Sequence, residues 1–412
     1  MRKVLLTLVA LAISITSAHA SGFALYEASV RISGMMGAYV ANGNHVSTIF
    51  FNPAGLAQLS GTHVHAGGVM IAPRTSFRGP FPSVEKTDME TQEFIVPNIY
   101  VSHQIMDDLT LGLGVYAPFG LGSKWDQDWV GNSYSTETRI QTAVANPVVA
   151  YKLPDFGAGD IMIGAGLQVG FLGNATLERA ITDFANRDGM IRLEGETDGL
   201  YYGYNFGIIY RPISKLSFGF SYKSQLELEF SGDAEFTDLP ESVFPETTGG
   251  LTITTPAHWA AGISAEPVEH LTVNFDYVWW GWSSYDELFI DFENETAVLQ
   301  DLRSIRDYED VFQLRLGMEY GLPQVSNMMI RGGIGFDKNP IPDYTIDPTL
   351  PDTDRLLFSG GLTYAFNDNF AVDMYYTFIR GEQREVDEPR NPLKGIYNTY
   401  ANIFGLAFSM TL

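Results

Sequence analysis

Long stretches of this chain alternate large apolar residues with glycine, small polar or charged ones, and hold that period for ten residues or more. From Ile161 the odd positions are Ile161, Ile163, Ala165, Leu167, Val169 and Phe171, while the even ones are Met162, Gly164, Gly166, Gln168 and Gly170. Residues 216–230 repeat the pattern, with Phe218, Phe220, Tyr222, Leu226 and Leu228 set against Gly219, Ser221, Lys223, Gln225, Glu227 and Glu229. A period of two belongs to an extended strand with two chemically different faces. Strands of a soluble sandwich run to about 5–6 residues. These longer ones suit tilted strands that cross a bilayer, with the apolar face toward lipid and the polar face toward a lumen. Phe404, Leu406, Phe408, Met410 and Leu412 share one face in the same way and run to the end of the chain.

Such segments start near Thr62, Glu93, Leu109, Arg139, Asp160, Glu196, Lys215, Gly250, His270, Asp310, Ser326, Leu356, Asn369 and Ile396. The count is about fourteen, and single-chain bacterial barrels need an even number. Their connections alternate between short and long. Short links fall near residues 106–108, 154–159, 212–214, 266–269, 322–325 and 367–368, and long ones at 74–92, 118–138, 174–195, 232–249, 283–309, 337–355 and 381–395. Short periplasmic turns and long external loops produce this sorting, which a two-sheet soluble protein has no reason to adopt. The expected fold is therefore all-β: a transmembrane antiparallel β-barrel of about fourteen strands over residues 62–412.

Two segments precede it. Arg2 and Lys3, an apolar run from Val4 to Ile15 and then Ala18-His19-Ala20 read as a secretory signal peptide over residues 1–20. Every later apolar run is soon broken by Gly, Asn or a charge, so the sequence offers no spanning helix. Residues 21–61 lack the strand pattern, yet Phe23, Leu25, Val30, Ile32, Met35 and Met36 make them too apolar for a disordered tail. A hatch inside the barrel is the better reading, because about fourteen strands enclose a lumen that wall side chains do not fill.

The formal net charge of −24 repels phosphate backbones, which removes nucleic acid as a partner. Cysteine is absent, so disulfides and thiolate metal sites are excluded. His63 and His65 share a strand face, a spacing that can ligate a metal, but no third ligand lies near them in sequence; lining of a lumen or interface is the simpler reading, and no metal or cofactor is expected. No Gly-x-Ser-x-Gly elbow, phosphate loop or His-Glu-x-x-His occurs, so nothing nominates an enzyme.

The chain resembles the FadL/TodX family of outer-membrane transporters for hydrophobic compounds. The resemblance rests on Ser21-Gly22-Phe23-Ala24-Leu25, Ser33-Gly34-Met35-Met36-Gly37-Ala38-Tyr39 and Phe51-Asn52-Pro53-Ala54-Gly55-Leu56. It continues through Ala117-Pro118-Phe119-Gly120-Leu121, Asn146-Pro147, Ala150-Tyr151, Gly219-Phe220-Ser221-Tyr222-Lys223-Ser224 and Trp282-Ser283. Leu350-Pro351-Asp352-Thr353-Asp354-Arg355 and Gly361-Leu362-Thr363-Tyr364 complete it.

That resemblance implies a Gram-negative outer-membrane protein, acting as a monomer among lipid and lipopolysaccharide. It would take up long-chain fatty acids or other hydrophobic molecules passively, from external loops to an inner pocket and then sideways through the wall. Asn52, Pro53 and Ala54 would be the hatch motif, facing a kink at Pro118, Phe119 and Gly120. Proline removes a ladder donor and glycine permits a bulge, although a plain strand end with a turn fits the same residues. In the third external loop Leu177, Ala180, Ile181 and Phe184 have helical spacing, which predicts a short amphipathic helix. Phe236, Leu239, Val243 and Phe244 are their counterparts in the fourth, so the two groups either form a binding groove or pack on each other. Arg179, Arg303 and Arg306 are candidate partners for a carboxylate, with a surface pair to Glu178 as the alternative for Arg179. An aromatic hydrocarbon channel of the same family, a general water-filled porin and an outer-membrane lipase are the rival functions.

Overall fold

The computed structural model describes residues 22–157, 159–182, 187–325 and 327–412, so the signal peptide expected over residues 1–20 and the loop residue Phe184 lie outside the described residues. Fourteen strands form the wall: β1 (Thr62–Arg78), β2 (Phe94–Met106), β3 (Leu109–Tyr116), β4 (Glu137–Lys152), β5 (Asp160–Thr182), β6 (Tyr201–Ile213) and β7 (Leu216–Lys223), then β8 (His258–Val268), β9 (Leu271–Trp280), β10 (Val311–Gly321), β11 (Met328–Asp337), β12 (Arg355–Ala365), β13 (Phe370–Gly381) and β14 (Gly395–Thr411). Each pairs antiparallel with the next, and β14 returns to β1 in register from His63↔Thr411 to Arg78↔Ile396, which closes the cylinder. A ring closed in this way leaves few strand edges, so most backbone donors are met without water, as a bilayer demands.

The two faces separate along each strand. In β6, Tyr202, Tyr204, Phe206 and Ile208 are exposed while Gly203, Asn205, Gly207 and Ile209 are buried. Exposed tyrosine, phenylalanine and isoleucine on one face are costly in water and favourable in lipid.

Twelve of the expected strand starts fall within two residues of a wall strand's start. Glu196 and Gly250 do not. They lie in Asp188–Thr197 and Thr247–Thr254, strands of a second ladder built by the long loops, and the wall strands that follow them begin at Tyr201 and His258. This ladder runs from the far end of β5 through Asp188–Thr197, Glu227–Thr237, Thr247–Thr254, Glu287–Phe292 and Leu302–Ile305. The period of two continues past the membrane, so alternation alone does not mark where the wall stops.

The helix expected around Leu177 is a strand instead. Residues 174–182 pair with the strand Asp188–Thr197, with Leu177 opposite Leu193 and Ile181 opposite Gly189. Nine paired residues outweigh the weak preference of a four-residue spacing. Pairing with β4 skips from Leu172 to Gly170, leaving Phe171 as a bulge. One extra residue reverses the phase. Odd residues such as Ile163 and Leu167 therefore face out below the bulge, whereas Leu177 turns inward above it.

Residues 22–61 lie inside the cylinder. They form α1 (Val30–Ser33), α2 (Thr48–Phe51) and a tight turn of helix over Pro53–Gln58. Strands on several sides hold them: Asp276 of β9 accepts from the amides of Tyr39 (2.6 Å) and Val40 (2.9 Å), Arg315 of β10 donates to the Met36 carbonyl (2.8 Å), and the Tyr100 hydroxyl of β2 donates to the Ala28 carbonyl (2.6 Å). Wall glycines make the approach possible. A methyl group on Gly164 would stand 2.5 Å from the Ala54 amide nitrogen, closer than real contacts allow.

Candidate functional site

The inner segment meets the wall through Asn52. Its side-chain amide donates to the carbonyls of Val40 (2.7 Å), Ile208 (3.2 Å) and Phe220 (3.2 Å), and its Oδ1 accepts from Ala54 N (3.1 Å), capping the turn that Pro53 opens. One residue thus joins residues 22–61 to two neighbouring wall strands.

The wall is incomplete beside it. Pairing between β2 and β3 stops at Ile99↔Val115. The chain resumes as a strand at Gly120–Lys124, but pairs there only with β4, from Gly120↔Gln141 to Lys124↔Glu137. Residues 94–98 are left without a partner on that side. Inside the break the N-terminal stretch takes over some of the missing bonds: Leu25 N donates to the Pro118 carbonyl (2.9 Å), Gly120 N donates to the Phe23 carbonyl (3.0 Å), and Ala24 bridges Phe119. Thr142 Oγ1 accepts from Phe119 N (3.1 Å) and donates to its carbonyl (2.7 Å).

A cavity of about 760 Å³ lies behind the break. Phe94, Ile95, Val96 and Pro97 form one lip, residues 115–123 contribute the other, and Ile71, Leu357, Ile379 and Ile403 add apolar surface. Its deep end is ionic. Arg315 pairs with Asp337 (3.3 Å), and Arg355 with Asp352 (2.6 Å), whose other oxygen accepts from Gly22 N (2.7 Å). The volume falls within the roughly 300–1,000 Å³ common for small-molecule pockets.

Toward the long loops a second cavity of about 90 Å³ is lined by Phe23, Leu177, Phe230, Leu251, Tyr285, Arg306 and Tyr308 among others. It is apolar apart from a few groups, of which Arg306 is the deepest. Burial opposes the Arg306 charge, but Asp347 at 2.7 Å and the neighbouring Tyr285 and Tyr308 together outweigh that and hold the group above its ordinary pKa, while burial pushes the Tyr285 and Tyr308 hydroxyls up. Its Nε has no hydrogen-bond partner among the described residues. Leu121, Arg139, Ile140 and Leu350 line both cavities and so form the neck between them. Arg139 pairs with Glu137 at 3.1 Å.

The structure separates the other sequence candidates. Leu177, Ile181, Phe236, Leu239 and Phe244 come together in one apolar cluster with Ile191, Ile290 and Phe292, and the Phe236 and Phe244 rings lie 5.3 Å apart. Of the five sequence candidates only Leu177 also lines the small cavity, beside Ile290. Arg179 lines neither cavity and donates to the Ser133 carbonyl (3.4 Å), while Glu178 pairs with Arg192 (2.6 Å). Arg303 is exposed, paired with Glu287 at 3.4 Å and stacked over Phe289. Arg139, Tyr285 and Tyr308 escaped the sequence reading. An inward arginine on β4 looks like any lumen residue until the fold puts Leu121 and Leu350 beside it.

Known proteins share this fold and match along most of this sequence. A family model described as "Outer membrane protein transport protein (OMPP1/FadL/TodX)" matches residues 11–412. The long-chain fatty acid transport protein of Salmonella typhi is 27% identical over 410 residues, which covers 92% of each chain. Among solved structures, a Pseudomonas aeruginosa FadL homologue superposes with a TM-score of 0.84 at 18% identity, covering 95% of this chain and 100% of that one. The P. putida toluene transporter TodX does so with a TM-score of 0.74 at 14% identity, covering 93% and 98%. At such identities the two structures speak for the fold alone.

Proposed function

Given that this chain belongs to the OMPP1/FadL/TodX family of outer-membrane transport proteins, we propose that it carries long-chain fatty acids inward by capture at the external loops, passage along the two cavities and lateral release into the bilayer between β2 and residues 117–124. The observation that carries the proposal is the break in pairing after Ile99↔Val115 backed by the 760 Å³ cavity. Elsewhere among the described wall strands the ladder is broken only by bulges and gaps of one or two residues, and such a ladder would keep an alkyl chain inside.

In this reading residues 21–61 are the hatch and residues 62–412 the barrel, with residues 1–20 removed on export. Asn52, Pro53 and Ala54 fix the hatch to the wall. Pro118, Phe119 and Gly120 keep the opening, because proline brings no ladder donor and residues 117–119 oppose only two residues of β4. Leu177, Ile181, Phe236, Leu239 and Phe244 steady the loop ladder through which the ligand enters. The 90 Å³ pocket is too narrow for a whole acyl chain, so the ligand threads through it and is steered by its head group. Buried Arg306, with an unused Nε, and Arg139 at the neck suit a carboxylate, which needs a cationic partner in apolar surroundings. An uncharged aromatic hydrocarbon would have no use for either. The family relationship and the name of the Salmonella typhi relative support the same choice.

Uptake into cells lacking their own transporter tests the proposal. Radiolabelled oleate should enter when this chain is expressed, and mass spectrometry of gently extracted protein should find bound fatty acid. Entry of toluene without oleate would reject the fatty-acid assignment, and strong ion conductance in planar bilayers would reject a plugged transporter.

A further inference from the structure

Deep in the lumen, away from both cavities, three potential ligands converge from three parts of the chain. His65 lies on β1, Asp373 on β13, and His45 on the inner segment; all are buried, and one nitrogen or oxygen from each lies within 4.8 Å of the others. In sequence His65 has only His63 beside it. The fold supplies the missing partners, while the Nε2 of His63 is taken up by the Ser60 carbonyl at 2.9 Å.

We propose that His45, His65 and Asp373 form a binding site for a divalent transition-metal ion of the zinc class, which pins residues 22–61 to the wall. Two imidazoles and one carboxylate are a borderline set that suits zinc and leaves a fourth position open. The Ser409 hydroxyl occupies the centre, 3.0 Å from His65 Nδ1, 3.5 Å from His45 Nε2 and 2.9 Å from Asp373 Oδ2. It stands where an ion or the fourth ligand would be. Zinc at ~2.0–2.1 Å from each ligand needs them about 3.4 Å apart, so ligand atoms up to 4.8 Å apart must close by up to about 1.4 Å on loading, within side-chain reach.

The surroundings are those of a ligand set rather than of three lumen residues. Ligating histidines are held through their second ring nitrogen by an outer hydrogen bond. His45 Nδ1 is 2.7 Å from Ser47 Oγ, which is itself 2.7 Å from Ser29 Oγ. His65 Nε2 and the Asn98 amide are all buried without a hydrogen-bond partner among the described residues and lie close enough for a small turn of Asn98 to join them. The second Asp373 oxygen accepts from Thr363 Oγ1. Arg331 lies 3.6 Å from Asp373 and opposes a cation, but Glu319, which it bonds at 2.6 Å, also holds Arg31 at 3.0 Å. The two arginines and two acids balance, and the ion need only displace a long contact.

Metal analysis of chelator-washed, zinc-reloaded protein in detergent tests the site, with cobalt as a spectroscopic probe. About one ion per chain should be retained by the wild type and by the H103Q variant, whose exposed histidine is the control, and should be lost from H45Q and H65Q. Ser47→Ala keeps all three ligands and should weaken binding by about 10- to 100-fold. Heat-modifiable migration in gels identifies correctly closed barrels. D373N and S47A provide independent variants should a histidine variant fail to assemble. Absence of a stoichiometric ion from the wild type, or equal retention by folded H65Q, would overturn the proposal and leave the cluster as a hydrogen-bonded latch.

Discussion

The Phe94 ring rests against Gly122 across the unpaired stretch of wall, so near that a methyl group at Gly122 would stand 2.7 and 2.8 Å from two of its ring carbons. Phe94 is therefore the side chain with which a molecule leaving the larger cavity must compete. Replacing it with alanine should open the gap and speed oleate uptake without disturbing the ladder, because residues 94–98 have no partner on that side to lose. A Gly120→Phe change has the opposite purpose. Even a Cβ there comes within 2.9 Å of Leu25, so a ring must enter the opening. Uptake in that variant should fall to background while heat-modifiable migration stays normal; normal uptake would exclude release through this gap.

Arg306 offers a sharper test of ligand class. A hydrogen bond to a charged group is worth about 1.5–3 kcal/mol, so its loss should weaken oleate binding roughly ten- to a hundredfold. Removing the arginine alone would leave the half-buried Asp347 without its partner, so the informative variant is R306Q/D347N. Titration with oleate and with the corresponding alcohol should show a large effect for the acid and little for the alcohol. Equal losses would mean that Arg306 supports the loops and not the ligand.

Much of the fold was legible because a lipid-facing strand must alternate along its whole length, and β6 and β14 do so in the sequence as plainly as in space. What alternation could not give was the height of the membrane. Glu196 and Gly250 sit in strands as regular as the wall, since the loop ladder obeys the same period. Leu177 and Ile181 misled through chance helical spacing, which pairing with Leu193 and Gly189 overrides. The site was harder still. Arg306 was a candidate only through the family resemblance, as a partner for a carboxylate, whereas Arg139 matters only because Leu121 and Leu350 reach it from elsewhere. The partners of His65 are distant in sequence, and no local spacing could supply them.

Asp276 ties the inner segment down by accepting from two successive amides, Tyr39 N and Val40 N. An alanine there leaves two buried donors unmet, at about 1–3 kcal/mol each. The segment should then leave its seat part of the time, and ions should follow. Planar-bilayer recordings are expected to show rare, small openings for the wild type and frequent larger ones for D276A. Identical traces would mean that the segment is held chiefly elsewhere, or that it does not block the lumen.

Close approach of the inner segment to β5 provides a last test, independent of hydrogen bonding. At Gly164 any side chain would collide with backbone, since the carbonyl carbon of Pro53 and the amide nitrogen of Ala54 both lie 2.5 Å from where its first carbon would stand, and backbone cannot swing aside as a side-chain tip can. Gly250, in the loop ladder, has open space at the same place and serves as the control. Overpacking of a well-filled interior costs about 1–3 kcal/mol, so Gly164→Val should lower the urea midpoint of barrel unfolding and raise ion leakage, whereas Gly250→Val should change neither. If both variants behaved alike, the contact between the Asn52-Pro53-Ala54 turn and the wall would be looser than the geometry describes, and the anchoring assigned to that turn would have to move to Asp276 and Arg315.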